Sequence, residues 1–317
     1  MRAWILALLC LLGAGSIARA QTCTVTASGP AFGTADVLLN TAIDTSATIT
    51  MSCTGGPANG TLRLCLNIGY PAPATAGGNR IAASGANQLS FQLYSDAARS
   101  VIWGSWKVAG GGAGVQADLP TNASGATGTV TRTLYARIPA GQTTKPAGTY
   151  TRTFPTTSTH YSVQTAGAAS CATLTAGTRR ITGLSMSATV PSKCAVSNAS
   201  LDFGNNAALT SLVDASTTIG VTCTPTLPYQ IALGQGLGSG VTNPAARKMT
   251  KAAETITYGL YRDTARSLPW GWTNGTNTLG GTGTGNTVAV PVYGRVPAQV
   301  TPTPGTYTDT VTITVTY

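Results

Sequence analysis

The 317-residue chain states most of its landmarks twice, in the same order. "CTVTASGPAFG" at 23–33 is answered by "CAVSNASLDFG" at 194–204, each with Phe-Gly at the same distance from its cysteine. Cys53 and Cys223 then follow at nearly equal spacing. "FQLYSDAARSVIWG" at 91–104 matches "YGLYRDTARSLPWG" at 258–271, and "LYARIPAGQTTKPAGTYTRTF" at 134–154 matches "VYGRVPAQVTPTPGTYTDTV" at 292–311. Ordered matches of this kind are the mark of a duplicated domain, so a fold assigned to one half has to accommodate the other. The matched cysteines predict disulfides Cys23–Cys53 and Cys194–Cys223. Cys65 and Cys171 occur only in the first half and pair by elimination.

Both halves consist of short alternating runs rich in Thr, Val and Tyr, punctuated by Gly, Pro and Asn, with no sustained helical period. Alternation at period two places successive side chains on opposite faces of a strand, and this punctuation predicts an all-β chain of two antiparallel sandwiches. In the second half the pattern predicts strands near 186–197, 216–223, 228–233, 255–262, 286–294 and 306–317. In the last, Val311, Ile313, Val315 and Tyr317 alternate with threonines. A sandwich needing one more strand than these has no residues left to supply it. It would expose an edge of unpaired N–H and C=O groups beside an apolar groove. Strand counting leaves a second reading open, in which 306–317 is a tolerated edge of a complete small sandwich.

At the amino end, Arg2, the apolar run "WILALLCLLGAG" and "ARA" at 18–20 form a signal-peptide pattern with cleavage before Gln21. The run is too short for a membrane span, and export to an oxidising compartment suits the disulfides. Three segments result: signal peptide 1–20, first domain 21–180 and second domain 181–317. The net charge of +10 is spread thinly, its densest points being Arg179-Arg180 and Arg247-Lys248 with Lys251, which argues against a nucleic-acid partner.

Catalysis has few raw materials. There is one histidine, His160, and one glutamate, Glu254, whereas acid–base chemistry near neutral pH wants tuned groups, usually in pairs. His160 reads as an exposed strand or loop residue. Asp96/Arg99 and Asp263/Arg266 recur in both halves and read as ion pairs holding turns. The cysteines are too widely spaced for a zinc site. The expectation is a non-enzyme with no cofactor and no metal.

"CAVSNASLDFG", the "LYRDTARSLPWG" block and "PVYGRVPAQVTPTPGTYTDTVTITVTY" at 291–317 together resemble the spore coat protein U domain family, whose members include subunits of archaic chaperone-usher pili. The resemblance is strongest over 181–317 and looser over 21–155. It implies two immunoglobulin-like sandwiches, the C-terminal one lacking its last strand and completed by a partner's strand. The implied partners are a periplasmic chaperone, an outer-membrane usher and the donor strand of an adjacent pilin subunit. Val311, Ile313 and Val315 would line one side of the acceptor groove, and the chaperone would hold the carboxylate of Tyr317. The layout resembles a pilus tip adhesin, in the periplasm in transit and then at the cell surface on a fimbrium, mediating attachment and biofilm formation.

Position in a fibre follows from the front end. Donating a strand needs about ten free residues at about 3.3 Å each, and only Gln21 and Thr22 precede Cys23, so the expectation is a subunit that accepts without donating. The segment "LSMSATV" at 184–190 alternates as a strand should. It reads either as the strand that completes the first domain or as the first strand of the second; "THYSVQTAG" at 159–167 is another candidate for completing the first.

Insertions in the first half mark candidate adhesive loops. These are 67–78, presenting Ile68, Tyr70 and Pro71, and 104–120, presenting Trp106, Val108 and Val115. Exposed apolar tips would shed water against a hydrophobic or host surface. Trp103 and Trp270, being duplicated, read as core. Two further roles stay open: a structural coat or minor pilus adaptor protein without a ligand, and a glycan-binding tip lectin using Asn79, Asp118 and Asn122.

Overall fold

A computed structural model describes residues 21–69, 78–105, 113–165, 167, 170–172 and 179–317. The first sandwich is built from β1 (Thr22–Ala27), β2 (Ala31–Thr34), β3 (Ile43–Gly55), β4 (Thr61–Ile68), β5 (Arg80–Ser84), β6 (Asn87–Tyr94), β7 (Val115–Pro120), β8 (Ala126–Ile138), β9 (Gly148–Thr153), β10 (Thr159–Thr165), β11 (Arg179–Arg180) and β12 (Ser185–Val190). Its sheets run β1-β3-β8-β6-β5-β9-β12-β2 and β11-β10-β4-β7. The second sandwich has β13 (Cys194–Val196), β14 (Val213–Cys223), β15 (Pro228–Leu233), β16 (Arg247–Lys251), β17 (Glu254–Tyr261), β18 (Leu279–Thr282), β19 (Thr287–Val296) and β20 (Ile313–Thr316). Its sheets run β13-β14-β19-β17-β16 and β18-β15-β20.

The duplication carries through to side chains. Trp103 and Trp270 are fully buried, and their indole N–H groups donate to Leu66 O at 3.1 Å and Ile231 O at 2.8 Å. Beside each lies a buried arginine: Arg80 donates to Ile68 O and Trp103 O, Arg247 to Leu233 O and Trp270 O. A buried guanidinium is tolerable only when its donors are matched, and here main-chain carbonyls match them in both halves. Disulfides join Cys23–Cys53, Cys65–Cys171 and Cys194–Cys223. The first and third tie equivalent edge strands to their neighbours, in register at Cys23↔Cys53 and Cys194↔Cys223.

Several expectations are corrected. Asp96 and Asp263 do not pair with Arg99 and Arg266. Each caps its turn, accepting the N–H groups of Ser100 and Val101 or of Ser267 and Leu268. The arginines, at positive φ, swing back to Asp44 and Asp214 at 3.2 and 3.3 Å. His160 is buried in β10, paired with Asn67 and Arg180. Strands β16 and β18, both short, lay between the runs recognised in the sequence. The expected strand 186–197 breaks at Pro191–Lys193 into β12, in the first sandwich, and β13, in the second. The first core takes in Ile181, Leu184, Met186, Ala188 and Val190. Of 306–317 only Ile313–Thr316 is strand.

Candidate functional site: an open groove in the second sandwich

The larger sheet of the first sandwich exceeds its counterpart by β9, β12 and β2. Strand β12 is antiparallel to β9, with Met186↔Arg152, Ala188↔Tyr150 and Val190↔Gly148, and parallel to β2 on its other edge. Its alternation is strict: Met186, Ala188 and Val190 point in, Ser185, Ser187 and Thr189 out. Residues 159–165 are not the completing strand; β10 instead pairs with β4.

The flanks of β12 recur in the second sandwich with no strand between them among the described residues. The bridge Ala83↔Thr151 corresponds to Thr250↔Thr308, which aligns Gly148–Thr153 with 305–310, while the Phe-Gly landmark aligns β2 with the stretch around Phe203. Both segments lie where β12's neighbours lie, yet neither forms a strand ladder. An edge without a neighbouring strand presents unpaired N–H and C=O groups, and among the described residues no strand forms a ladder with either segment.

Between them opens a cavity of about 400 Å³, lined among others by Leu201, Phe203, Met249, Tyr258, Val311 and Ile313. Equivalent side chains differ in burial accordingly. Phe32, Ala82, Leu89, Tyr150 and Phe154 are buried in the first sandwich, whereas Phe203, Met249, Ile256, Tyr307 and Val311 are only half-buried in the second. Val315 packs half-buried against the same core; Tyr317 is 55% exposed. The groove is largely apolar and carries two carboxylates, Asp202, whose Oδ1 accepts the Gly204 N–H, and Asp309. Asp309 is the one engaged by a groove tyrosine. Its Oδ1 accepts the N–H groups of Leu237 and Thr310 at 2.6 and 2.8 Å, and its Oδ2 accepts the Tyr258 hydroxyl at 2.6 Å. Burial first, and then the neighbouring Asp309, push the Tyr258 phenol well above its ordinary value, so it stays a donor.

Tyr70, Pro71, Trp106 and Val108 lie outside the described residues. Ile68, expected at an exposed tip, is fully buried in the first core, because β4 turns alternate residues Leu62, Leu64, Leu66 and Ile68 into it. Val115 is half-buried, opposite Leu66 in β7. Their neighbourhood is nonetheless informative. The Ile68 N–H donates to Gly104 O at 3.0 Å and the Gly104 N–H to Ala113 O at 3.2 Å. Asp118 is engaged by Arg63 at 3.0 Å in an ion pair between β7 and β4.

Reading the sequence alone missed Asp309, Tyr258, Met249 and Phe203 as groove residues. The signal was there: aligning GTYTRT at 148–153 with GTYTDT at 305–310 brings Asp309 level with Arg152. Among the described residues no group of three or more His, Cys, Asp or Glu is placed to hold a metal ion, and no helix is long and apolar enough to cross a membrane.

Known proteins share parts of this sequence and fold. The chain is 42% identical over 104 residues to Protein U of Myxococcus xanthus, a match covering 31% of this chain and 58% of that protein. Among solved structures it resembles the CsuC–CsuE chaperone–tip adhesion subunit pre-assembly complex from archaic chaperone-usher Csu pili of Acinetobacter baumannii. The matched chain is 18% identical, covered in full by 93% of this one, with a TM-score of 0.54. The CupB6 tip adhesin from Pseudomonas aeruginosa matches more loosely, at 13% identity over 94% of this chain and 96% of its own, with a TM-score of 0.39. The Spore Coat Protein U domain matches residues 11–157 and again 181–314, one match for each half of the repeat, and the chain belongs to that family.

Proposed function

We propose that the chain is a surface-attachment subunit of a chaperone-usher pilus, carried at the tip and joined to the fibre through the groove of its second sandwich. The observation that carries this reading is the asymmetry of the repeat. One copy is completed by β12 from within the chain, and the other presents an open, largely apolar trough at the equivalent place. A strand from another polypeptide would add main-chain hydrogen bonds to 305–310 and bury alternate side chains. A periplasmic chaperone would fill the groove first, the usher would exchange it for a neighbouring pilin's strand, and the first sandwich would be presented to a hydrophobic or host surface.

The test titrates the purified chain with N-terminal peptides from candidate neighbouring pilins and follows thermal unfolding. A ligand that binds only the folded state raises stability with concentration. The reading expects a rise confined to the second sandwich; failure of every such peptide to stabilise it would remove the basis for assembly through this groove. Attachment is read separately, as adhesion of assembled fibres to polystyrene and to glycan arrays. Loss of polystyrene binding on replacing Trp106 and Val108 by serine supports a hydrophobic tip, and retention with glycan-specific binding supports a lectin.

A further inference from the structure

We infer that the second groove selects its donor by one polar position: the donor residue opposite Asp309 carries a hydrogen-bond-donating side chain. The inference rests on the strand-acceptor reading above and takes as its template the strand already seated in the first sandwich. There, Arg152 and Met186 are directly opposite. Both lie on the inward face, Arg152 half-buried and Met186 buried, and directly opposed side chains on one face are in contact range. The bridge equivalence puts Asp309 in the place of Arg152. A donor strand in the same register therefore lays its Met186-like residue against the Asp309 carboxylate.

That carboxylate has room for one more partner. Oδ1 already accepts two N–H groups and Oδ2 only the Tyr258 hydroxyl, while a carboxylate offers about four acceptor positions. Asp309 also lines the open cavity. Covering it with a thioether or an aliphatic side chain would remove water from Oδ2 without replacing the lost hydrogen bond. A threonine, asparagine or lysine would replace it. The position opposite Tyr307 should stay small, since Ala188 fills that place against Tyr150. The occupant is thus an extended segment reading donor–x–small–x–apolar, from the residue opposite Asp309 to the one opposite Gly305. The same feature discourages a copy of the chain's own β12, which would bring Met186 to Asp309.

The experiment tethers donor strands to the full chain. A flexible linker as long as the 166–183 connection is added after Tyr317, followed by GLSMSATVP, the sequence of 183–191, or by its Met186→Asn, Met186→Lys or Met186→Leu form. Segment-resolved hydrogen exchange then reads the folding equilibrium of the second sandwich. The Asn and Lys forms are expected to exceed the Met and Leu forms by roughly tenfold, the scale of one buried hydrogen bond to a charged group. Lys exceeding Asn would show that charge adds to hydrogen bonding, and Asn matching Lys that the hydrogen bond alone is read; both support the inference. Equal stabilisation by all four strands would overturn it and leave the groove reading standing. No stabilisation by any would overturn both. A second arm uses Asp309→Leu, for which the order of Met and Asn forms should reverse; if that variant fails to fold, the four-strand series alone decides.

Discussion

Replacing Met186 by alanine separates the two possible allegiances of 184–190. Met186 is 1% exposed and sits in the first core, on the inward face of β12. Truncating a fully buried side chain of this size costs about 2–5 kcal/mol, because transfer energy is lost and the cavity closes only in part. The outward neighbour Ser187 supplies the control, with Ser187→Ala expected within about 0.5 kcal/mol. Hydrogen exchange resolved by segment is the assay, since a single denaturation curve would merge two sandwiches. A loss of 2–5 kcal/mol lowers protection by roughly 30-fold to several-thousand-fold. The loss should appear in β9, β2 and β5 and spare β14, β15 and β19. Were protection to fall in the second sandwich instead, 184–190 would belong there, and the template for the open groove would be gone.

Three further outcomes follow from the same contacts. Removing Cys65–Cys171 by a double serine substitution opens a closed segment with a sequence separation of 106; it should cost the first sandwich about 2–5 kcal/mol, seen as a lower urea midpoint with the second sandwich unmoved. Arg247→Leu leaves the carbonyls of Leu233, Gly234 and Trp270 without their donor, for a loss of at least about 3 kcal/mol from the second sandwich. Burial pulls the Arg247 guanidinium down to about 10, so it remains charged at neutral pH, and Arg247→Lys should recover little because it lacks the planar fork. The hydrogen bonds of Arg137 to Asp44 and of Arg295 to Asp214 hold both carboxyls below the ordinary carboxylate range. A depressed folded pKa contributes stability above the unfolded value of about 4 and loses it as pH falls through the folded one. Thermal midpoints should therefore drop in acid below about pH 4, and the drop should be shallower in Asp214→Asn; an unchanged acid limb would refute the pairing as a source of stability.

What the sequence made legible is what repeats. The two disulfides with matched spacing, the two tryptophans and the two Phe-Gly landmarks are local in sequence and duplicated, and each takes equivalent places in the two sandwiches. The turns were located but misassigned, because Asp96 and Arg99 are close in sequence whereas Arg99's true partner, Asp44, is brought in by the pairing of β3 with β8. Ile68 was misread for a related reason: an apolar residue next to an insertion looks exposed until the strand is known to run far enough for it to continue the Leu62, Leu64 and Leu66 face into the core. The long terminal strand shrank to Ile313–Thr316 because alternation records which way side chains face, not whether a neighbouring edge exists to pair with. Asp309 was invisible as a groove residue, since only register, transferred from β9, places it opposite an incoming strand.

The closed copy also shows what an outside donor has to supply. Strand β12 has six residues, and ordering them costs about 1–2 kcal/mol each. Burying Met186 and Val190 returns about 1.5–3 kcal/mol apiece, so the strand's own side chains do not cover its ordering. The remainder comes from hydrogen bonds on both edges and from the cover given to Phe32, Tyr150 and Phe154. In the first sandwich the donor is held at a millimolar effective concentration by its own chain, whereas a separate donor also loses translational freedom. A free peptide limited to the length of β12 should consequently stabilise the second sandwich far less than the same residues tethered after Tyr317, and a free donor should need a longer paired stretch, reaching past Asp309 toward Val311 and Ile313. Titrating free peptides of increasing length against thermal unfolding checks this. Equal effects from the short peptide free and tethered would mean that the groove is pre-formed well enough for side chains alone to hold a strand, and that the tether in the first sandwich is dispensable.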